Sequence, residues 1–398
     1  MVTSTLKQFI NVMRDTIPTR KILARDYLMN YKVDPDRLQH LQRTYQAIEQ
    51  IPNQSGRKLL QMNHDKTIEV DVNYELEELK KDIWFFERGE EAFIQHLKAS
   101  YKLYEVQLAE GLKFLEGINF NAFITDRDGT VNNYCGRYST SVQSAYNAVF
   151  IGRFAAKKAK NTVLLTSAPL MEPGLLDISV IPEKLIHFAG SKGREYFDKE
   201  GLFGYFPIEK EKQDKLDELN AEIRKLIKKE EYEIFARIGS GLQEKFGQTT
   251  IARQDVNQTV DAEKSETFLE KITEVVNRLD PDNQYFRIED TGLDIEIILT
   301  ISGEGQQGLK DFDKGDGVRF LNERLKLDLE KGPNLICGDT HSDLAMLKTA
   351  MDFTDDTYTV FVSRDNELKN KVREICPNHY FADKPDTLIS MLNQTALK

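Results

Sequence analysis

Apolar residues recur at helical spacing over most of the first 116 positions. Leu6, Ile10, Met13 and Ile17 form one such face. Leu38, Leu41, Tyr45 and Ile48 form a second, after Asp34-Pro35, which predicts an N-cap with Pro at the first helical position. The pattern breaks between Asn53 and Asp71 and returns with Leu76, Leu79, Ile83 and Phe86. After Gly89 a long stripe runs from Ile94 through Leu97, Tyr101, Tyr104, Leu108 and Leu112 to Leu115. Amphipathic faces of this kind bury against one another, so a small helical bundle is expected over residues 1–116. It carries no cluster of ligand-type residues; a docking or self-association role is open to it.

From Asn119 short continuous apolar runs replace the stripes. Phe120–Thr125, Thr162–Thr166, Asn334–Cys337 and Thr357–Val362 read as buried strands, with a helix around Val142 to Phe154 between the first two. Such strands alternating with helices indicate a parallel sheet covered on both faces, whose ligands sit beyond the carboxyl ends of the strands. The expected core comprises residues 117–188 and 306–398. The stretch between, 189–305, has its own rhythm: a charged helix (about 209–229), strands near 234–238 and 242–250 around Gly239-Ser-Gly241, a second helix (about 262–278), and strands near 285–288 and 293–300. This αββ-αββ order reads as a separate α/β layer inserted as a lid.

Composition narrows the classes. Of 398 residues 40% are hydrophobic and 30% charged, which is ordinary globular material. A net charge of −11 disfavours nucleic-acid binding, which needs clustered Lys and Arg. The three cysteines are scattered, no run of about 18 apolar residues offers a membrane span, and no basic-then-apolar leader begins the chain. A cytoplasmic enzyme acting on a small molecule, without membrane or nucleic acid, is the expectation.

Candidate chemistry lies at the strand ends. Asp126-Arg-Asp-Gly-Thr130 places one carboxylate where it can attack phosphorus and a second, Asp128, where it can protonate the leaving oxygen and then activate water. A solvated Asp-Gly turn is the plain alternative. Thr166 can bind a phosphate oxygen or merely cap a helix. Lys314, in Phe312-Asp-Lys-Gly-Asp-Gly317, can neutralise phosphate or be a surface lysine. Asp339 and Asp343, in Gly338-Asp-Thr-His-Ser-Asp343, suit a hard cation such as Mg²⁺ or cap a helix. No Gly-x-x-x-x-Gly-Lys-Ser/Thr loop occurs, and Asp128 stands where an ATPase of aspartyl-phosphate type needs Thr.

Taken in this order, the four motifs resemble those of the haloacid dehalogenase-like phosphatases. The runs Tyr134–Val149, Gly190-Ser-Lys-Gly-Arg-Glu195, Gly239-Ser-Gly-Leu-Gln-Glu-Lys245 and Ile336-Cys-Gly-Asp-Thr340 are similar, more narrowly, to nematode trehalose-6-phosphate phosphatases. The resemblance implies a Rossmann-like parallel-sheet phosphatase core, an inserted α/β cap and an N-terminal helical domain. It implies catalytic roles for Asp126, Asp128, Thr166 and Lys314. Mg²⁺ would be held by Asp126, Asp339 and the carbonyl of Asp128, with Asp343 either a ligand through water or a partner of Lys314. Lys245 and Glu296 would touch the sugar, with Gln243, Arg194 and Glu195 as further candidates; a cross-strand salt bridge is the alternative for the first pair. Another sugar phosphate, such as sucrose phosphate or glucosylglycerol phosphate, and an inactive scaffold remain competing readings.

Overall fold

A computed structural model describes residues 3–54, 56–63, 66–302 and 309–398. The chain opens with α1 (Leu6–Asn30) and α2 (Pro35–Glu49). Asp34 caps α2 as expected, its side chain accepting from the N–H groups of Asp36 and Arg37. The interval where the helical pattern breaks is a small antiparallel sheet of β1 (Asn53–Gln54), β2 (Arg57–Asn63) and β3 (Lys66–Val70). Its signal is a period of two: Leu60 opposite Ile68 and Lys58 opposite Val70, all buried. Next come α3 (Asn73–Arg88), α4 (Glu90–Ser100) and α5 (Tyr104–Phe114). The long stripe is therefore two helices. Between them Tyr101 takes an extended backbone (φ −124°, ψ 119°), and its hydroxyl donates to Asp386 at 3.0 Å.

The core sequence runs through β4 (Phe120–Thr125), α6 (Ala145–Lys158), β5 (Ala159–Leu165), the short α7 (Leu175–Ile178), β6 (His187–Gly190), β7 (Glu195–Phe197) and β8 (Phe203–Tyr205). The cap follows with α8 (Lys210–Leu226), β9 (Leu242–Lys245), β10 (Gln248–Ala252), α9 (Ala262–Leu279), β11 (Phe286–Asp290), β12 (Asp294–Ser302) and β13 (Leu309–Asp311). The chain returns to the core with α10 (Lys314–Leu325), β14 (Asn334–Gly338), α11 (Leu344–Phe353), β15 (Thr357–Val362), α12 (Asn366–Ile375), β16 (Asn378–Ala382) and α13 (Pro385–Leu397).

The core sheet has eight strands in the order β16-β15-β14-β4-β5-β6-β7-β8. It is parallel from β16 to β6, and β7 and β8 are antiparallel additions. These last two pair with the core although they lie beyond residue 189, where the hydrophobic rhythm places the start of the lid. The expected boundary at 305/306 lies outside the described residues. Helix α6 is buried at every position from Ala145 to Ala155, because the sheet covers one side and α1, α3 and α13 the other. Rings of Phe85, Phe93, Tyr146 and Phe150 meet edge-on or tilted there, joining the helical region to the core.

The cap's sheet is antiparallel, in the order β11-β12-β10-β9, with β13 also on β12. The αββ-αββ order holds, with the first pair shifted. The expected strand at 234–238 is a 3₁₀ turn over Glu233–Ala236. Tyr232, Phe235 and Ile238 are all buried, and their spacing of three matches that turn; Phe235 stacks on Phe268 at 3.9 Å between ring centroids. The expected single strand at 242–250 is the hairpin β9-β10, turning at Phe246-Gly247.

Candidate active site

Parallel strands end on one edge, and the register fixes which residues meet there. Thr125, the last residue of β4, lies opposite Cys337 of β14 and Leu164 of β5. Asp126, Asp339 and Thr166 therefore leave the sheet side by side. The Asp126 N–H donates to the Cys337 carbonyl at 3.0 Å, which extends the ladder by one bond into the motif. Gly129 then turns the chain at φ +88°, with its N–H on the Asn132 carbonyl at 2.8 Å. A Cβ at Gly129 would stand 2.1 Å from Asp339 Oδ2, so glycine is required both for the turn and for the approach of that carboxylate. The Thr130 hydroxyl lies 2.9 Å from Asp339 Oδ1 and 3.3 Å from Asp126 Oδ2.

Lys314 is the first residue of α10, whose N-cap Asp313 accepts from the N–H groups of Gly315 and Asp316. Its ammonium donates to Asp126 Oδ1 and Asp343 Oδ1, each at 2.6 Å, with all three side chains buried. Burial alone would lower its pKa, but Asp126 and Asp343 outweigh that and raise it. Asp343 is saturated: its other oxygen accepts from the N–H groups of Asp339 and Thr340 and from the Thr340 hydroxyl. Its geometry is that of a partner of Lys314 and a clamp on the Asp339 loop. The Thr166 hydroxyl accepts the Ala168 N–H at 3.2 Å, leaving its own proton to donate.

Carboxylate oxygens of Asp126, Asp339 and Asp343 all lie within 4.8 Å of one another. Burial pushes Asp126 up to about 7 against the pull of Lys314. Burial, with Asp126 and Asp343 beside it, pushes Asp339 up to about 9. One lysine thus serves two buried carboxylates and a half-buried one, and among the described residues Asp339 has a single hydroxyl for a donor. That surplus of negative oxygen fits a hard divalent cation, which would favour the ionised forms.

Asp128 does not join this cluster through its side chain. Its Oδ1 meets the Arg127 guanidinium and the Ser141 hydroxyl, the latter at 3.2 Å. Arg127 is wholly buried and also donates to the Ser141 hydroxyl at 3.0 Å and to the Ser141 carbonyl.

The cap sheet presents a polar face. Thr250 pairs with both Gln243 and Glu296, and Gln248 pairs with Lys245, so these side chains share one side. Burial, with the charges of Lys192 and Lys314, lowers Lys245 to about 8 although Glu296 opposes them. Burial works against ionisation of Glu296 too, but Lys245 and Lys192 hold it below the usual carboxylate range. Gln248 donates to Glu296 at 2.8 Å, and the Lys192 ammonium, reaching up from the core, stands 3.5 Å from it. Arg194 differs from the expectation of a sugar contact in its present bonds: it donates to the carbonyls of Gly247 and Leu299 and lies 4.6 Å over the Phe312 ring. Glu195 accepts from Ser191 at 2.6 Å and from the Leu170 N–H at 3.0 Å, a core-side bracing position.

Four residues of the site escaped the sequence reading. Arg127 and Ser141 hold Asp128, Thr130 bridges two carboxylates, and Lys192 faces Glu296. Arg127 and Thr130 lie inside a motif already singled out, and Lys192 inside the run Gly190–Glu195. Ser141 lies inside the run Tyr134–Val149, but its partners stand thirteen and fourteen residues away, so nothing local marks its role. A fifth, Asp294, sits two residues before Glu296 and accepts from Ser240 at 3.0 Å, with its other oxygen buried and unpartnered.

The family profile described as "Trehalose-6-phosphate phosphatase, C-terminal" matches residues 123–388, and that of the "Trehalose-6-phosphate phosphatase N-terminal helical bundle domain" matches residues 5–103. An alpha,alpha-trehalose-phosphate synthase [UDP-forming] of Aphelenchoides avenae is 35% identical over 348 residues; the match covers 82% of this chain and 26% of that protein. A trehalose-phosphatase of Caenorhabditis briggsae is 29% identical over 410 residues, covering 94% of this chain and 92% of that one. The chain thus spans about a quarter of the first relative's length and nearly all of the second's. The C-terminal domain of the Candida albicans trehalose-6-phosphate phosphatase aligns over 73% of this chain and 96% of its own, at TM-score 0.46 and 14% identity. With both profiles matched in order over two thirds and more of its length, the chain belongs to the trehalose-6-phosphate phosphatase family.

Proposed function

We propose that the chain is a Mg²⁺-dependent phosphatase that hydrolyses trehalose 6-phosphate. The observation that carries this is the Lys314 ammonium bound at 2.6 Å to both Asp126 and Asp343 on the sheet edge, beneath a cap face of buried hydrogen-bonding side chains. Asp126 attacks phosphorus; the bond from phosphorus to the sugar oxygen breaks, and a proton from Asp128 goes to that oxygen, releasing trehalose and leaving an aspartyl phosphate. Asp128 then takes a proton from water, the oxygen of which attacks phosphorus, and the bond to Asp126 breaks to release phosphate. Lys314 and the Thr166 hydroxyl neutralise and orient the phosphoryl oxygens. Asp126, Asp339 and the Asp128 carbonyl would hold Mg²⁺, which when bound supplies positive charge against those oxygens. Lys245, Gln243 and Glu296 offer the paired donors and acceptors that an uncharged disaccharide needs.

Phosphate release from trehalose 6-phosphate, glucose 6-phosphate and sucrose 6-phosphate, with Mg²⁺ and with chelator, tests this. Trehalose 6-phosphate should exceed the others in kcat/KM by about 100-fold or more. Equal rates refute the substrate, and full activity in Asp126→Asn refutes the nucleophile.

A further inference from the structure

Asp128 owes its place to Arg127 and Ser141, and Ser141, which also holds Arg127, sits in a strap with little structure of its own. From Arg137 to Ser144 the only regular element is the 3₁₀ turn Tyr138–Thr140. Such a segment is fixed by whatever satisfies its polar groups. On its core side Gln143 donates its N–H to the Ile178 carbonyl at 3.0 Å. The other side belongs to the N-terminal helices. The Thr140 hydroxyl donates to Glu75. The Val142 carbonyl accepts from the Tyr74 hydroxyl at 3.0 Å and from Arg20 at 3.4 Å, and the Gln143 carbonyl from Arg20 at 3.4 Å. The Ser144 hydroxyl donates to Glu78 at 2.6 Å. Thr140, Val142, Gln143 and Ser144, around Ser141, are thus held by α1 or α3, while Arg137 and Tyr138 reach the cap carbonyls of Arg237 and Gly239 and Ser141 turns to Arg127 and Asp128. The holders are themselves rigid: Arg20 pairs with Asp82 at 2.8 Å, both wholly buried, and Lys81 joins Glu78 to Asp386 at 2.9 Å.

A second route reaches the same motif. The Tyr74 oxygen accepts from the Asn132 side chain at 3.0 Å. The backbone of Asn132 bonds Arg127 and Gly129, each at 2.8 Å.

We propose that the N-terminal helical domain is part of the catalytic apparatus: it sets the aim of Asp128, with Tyr74 and Glu75 as positioning residues that act through the strap around Ser141. This rests on the phosphatase reading and gives the helical region a use other than docking or self-association.

The test exploits the leaving group. A sugar alkoxide needs the proton of Asp128, whereas p-nitrophenolate leaves unaided, and kcat/KM reports only the steps through transfer to Asp126. Tyr74→Phe and Thr140→Ala should each lower kcat/KM for trehalose 6-phosphate about tenfold and that for p-nitrophenyl phosphate by less than about twofold. Thr140→Ser should restore the first value. Equal losses on both substrates, or no loss on either, overturn the proposal. Should Tyr74→Phe fail to fold, the Thr140 pair carries the test alone. Any alkyl phosphate that the unaltered protein turns over serves the comparison, so a wrong sugar leaves it standing. An unaltered protein that hydrolyses neither class overturns the phosphatase reading, and this proposal with it.

Discussion

Gly129→Ala is a small change with a calculable consequence. The new Cβ would lie 2.1 Å from Asp339 Oδ2, whereas carbon and oxygen in ordinary contact stand about 3.3 Å apart. Gly129 cannot yield, because its N–H is bound to Asn132 and its φ of +88° is fixed by the turn. The Asp339 carboxylate must therefore retreat by about 1 Å from its present place. A displacement of that size at a reacting centre costs about 100-fold in rate. Holding alanine in the left-handed region costs the fold only about 1–2 kcal/mol, a few degrees of melting temperature. The expected result is a protein that still melts cooperatively, with kcat/KM about 100-fold lower and the half-activating Mg²⁺ concentration raised about tenfold or more. Phosphate release over a Mg²⁺ titration, with calorimetry on the same samples, reads all three. A variant activated by Mg²⁺ at the original concentration and to the original rate would refute the placement of Asp339 against this turn and its part in holding the cation.

The raised carboxylates give a pH dependence of known sign. Asp339 at about 9 and Asp126 at about 7 bind protons in the folded, metal-free protein that they release near 3.8 once unfolded, so their contribution to stability falls as pH rises between those limits. The ionised forms are those that hold a cation, so the gain in melting temperature from Mg²⁺ over chelator should grow from about pH 6 to about pH 9; a gain independent of pH argues against these ligands. Arg20→Met leaves Asp82 buried without its partner and should cost about 3–5 kcal/mol in denaturant unfolding. Adding Asp82→Leu should recover most of that, and an equal loss in single and double variants would show that the pair is not what the helices depend on.

The candidate site was legible where it and the fold use the same residues. Continuous apolar runs marked β4, β5, β14 and β15, and the polar residues ending β4, β5 and β14 are those that meet at the sheet edge. Asp34-Pro35 marked its helix because a cap acts within one turn. What could not be read depends on partners far along the chain. β2 and β3 are short, and in β2 a buried Lys58 beside a half-buried Leu59 blurs the alternation, so the helical stripes around them drown their signal. β7 and β8 are three-residue strands that exist because β6 offers an edge. Tyr232, Phe235 and Ile238 are as apolar as a strand, and only their spacing of three sets them apart. Ser141 and Lys192 are ordinary surface residue types until the fold sets Asp128 and Glu296 opposite them.

The bonds of Arg194 bear on how this lid could change its taste. Arg194 grips the cap through the carbonyls of Gly247 and Leu299, and Ser191 adds the Phe246 N–H at 3.0 Å. Those anchors are main-chain atoms, present whatever side chains the hairpin carries. On the proposed reading, positions 243 and 245 can thus be rewritten for a different sugar without touching those bonds, whereas a change at 296 also removes the pairing with Lys192. Holding the lid and choosing the sugar would then fall to different atoms of one sheet, main-chain carbonyls for Arg194 and side chains for the ligand.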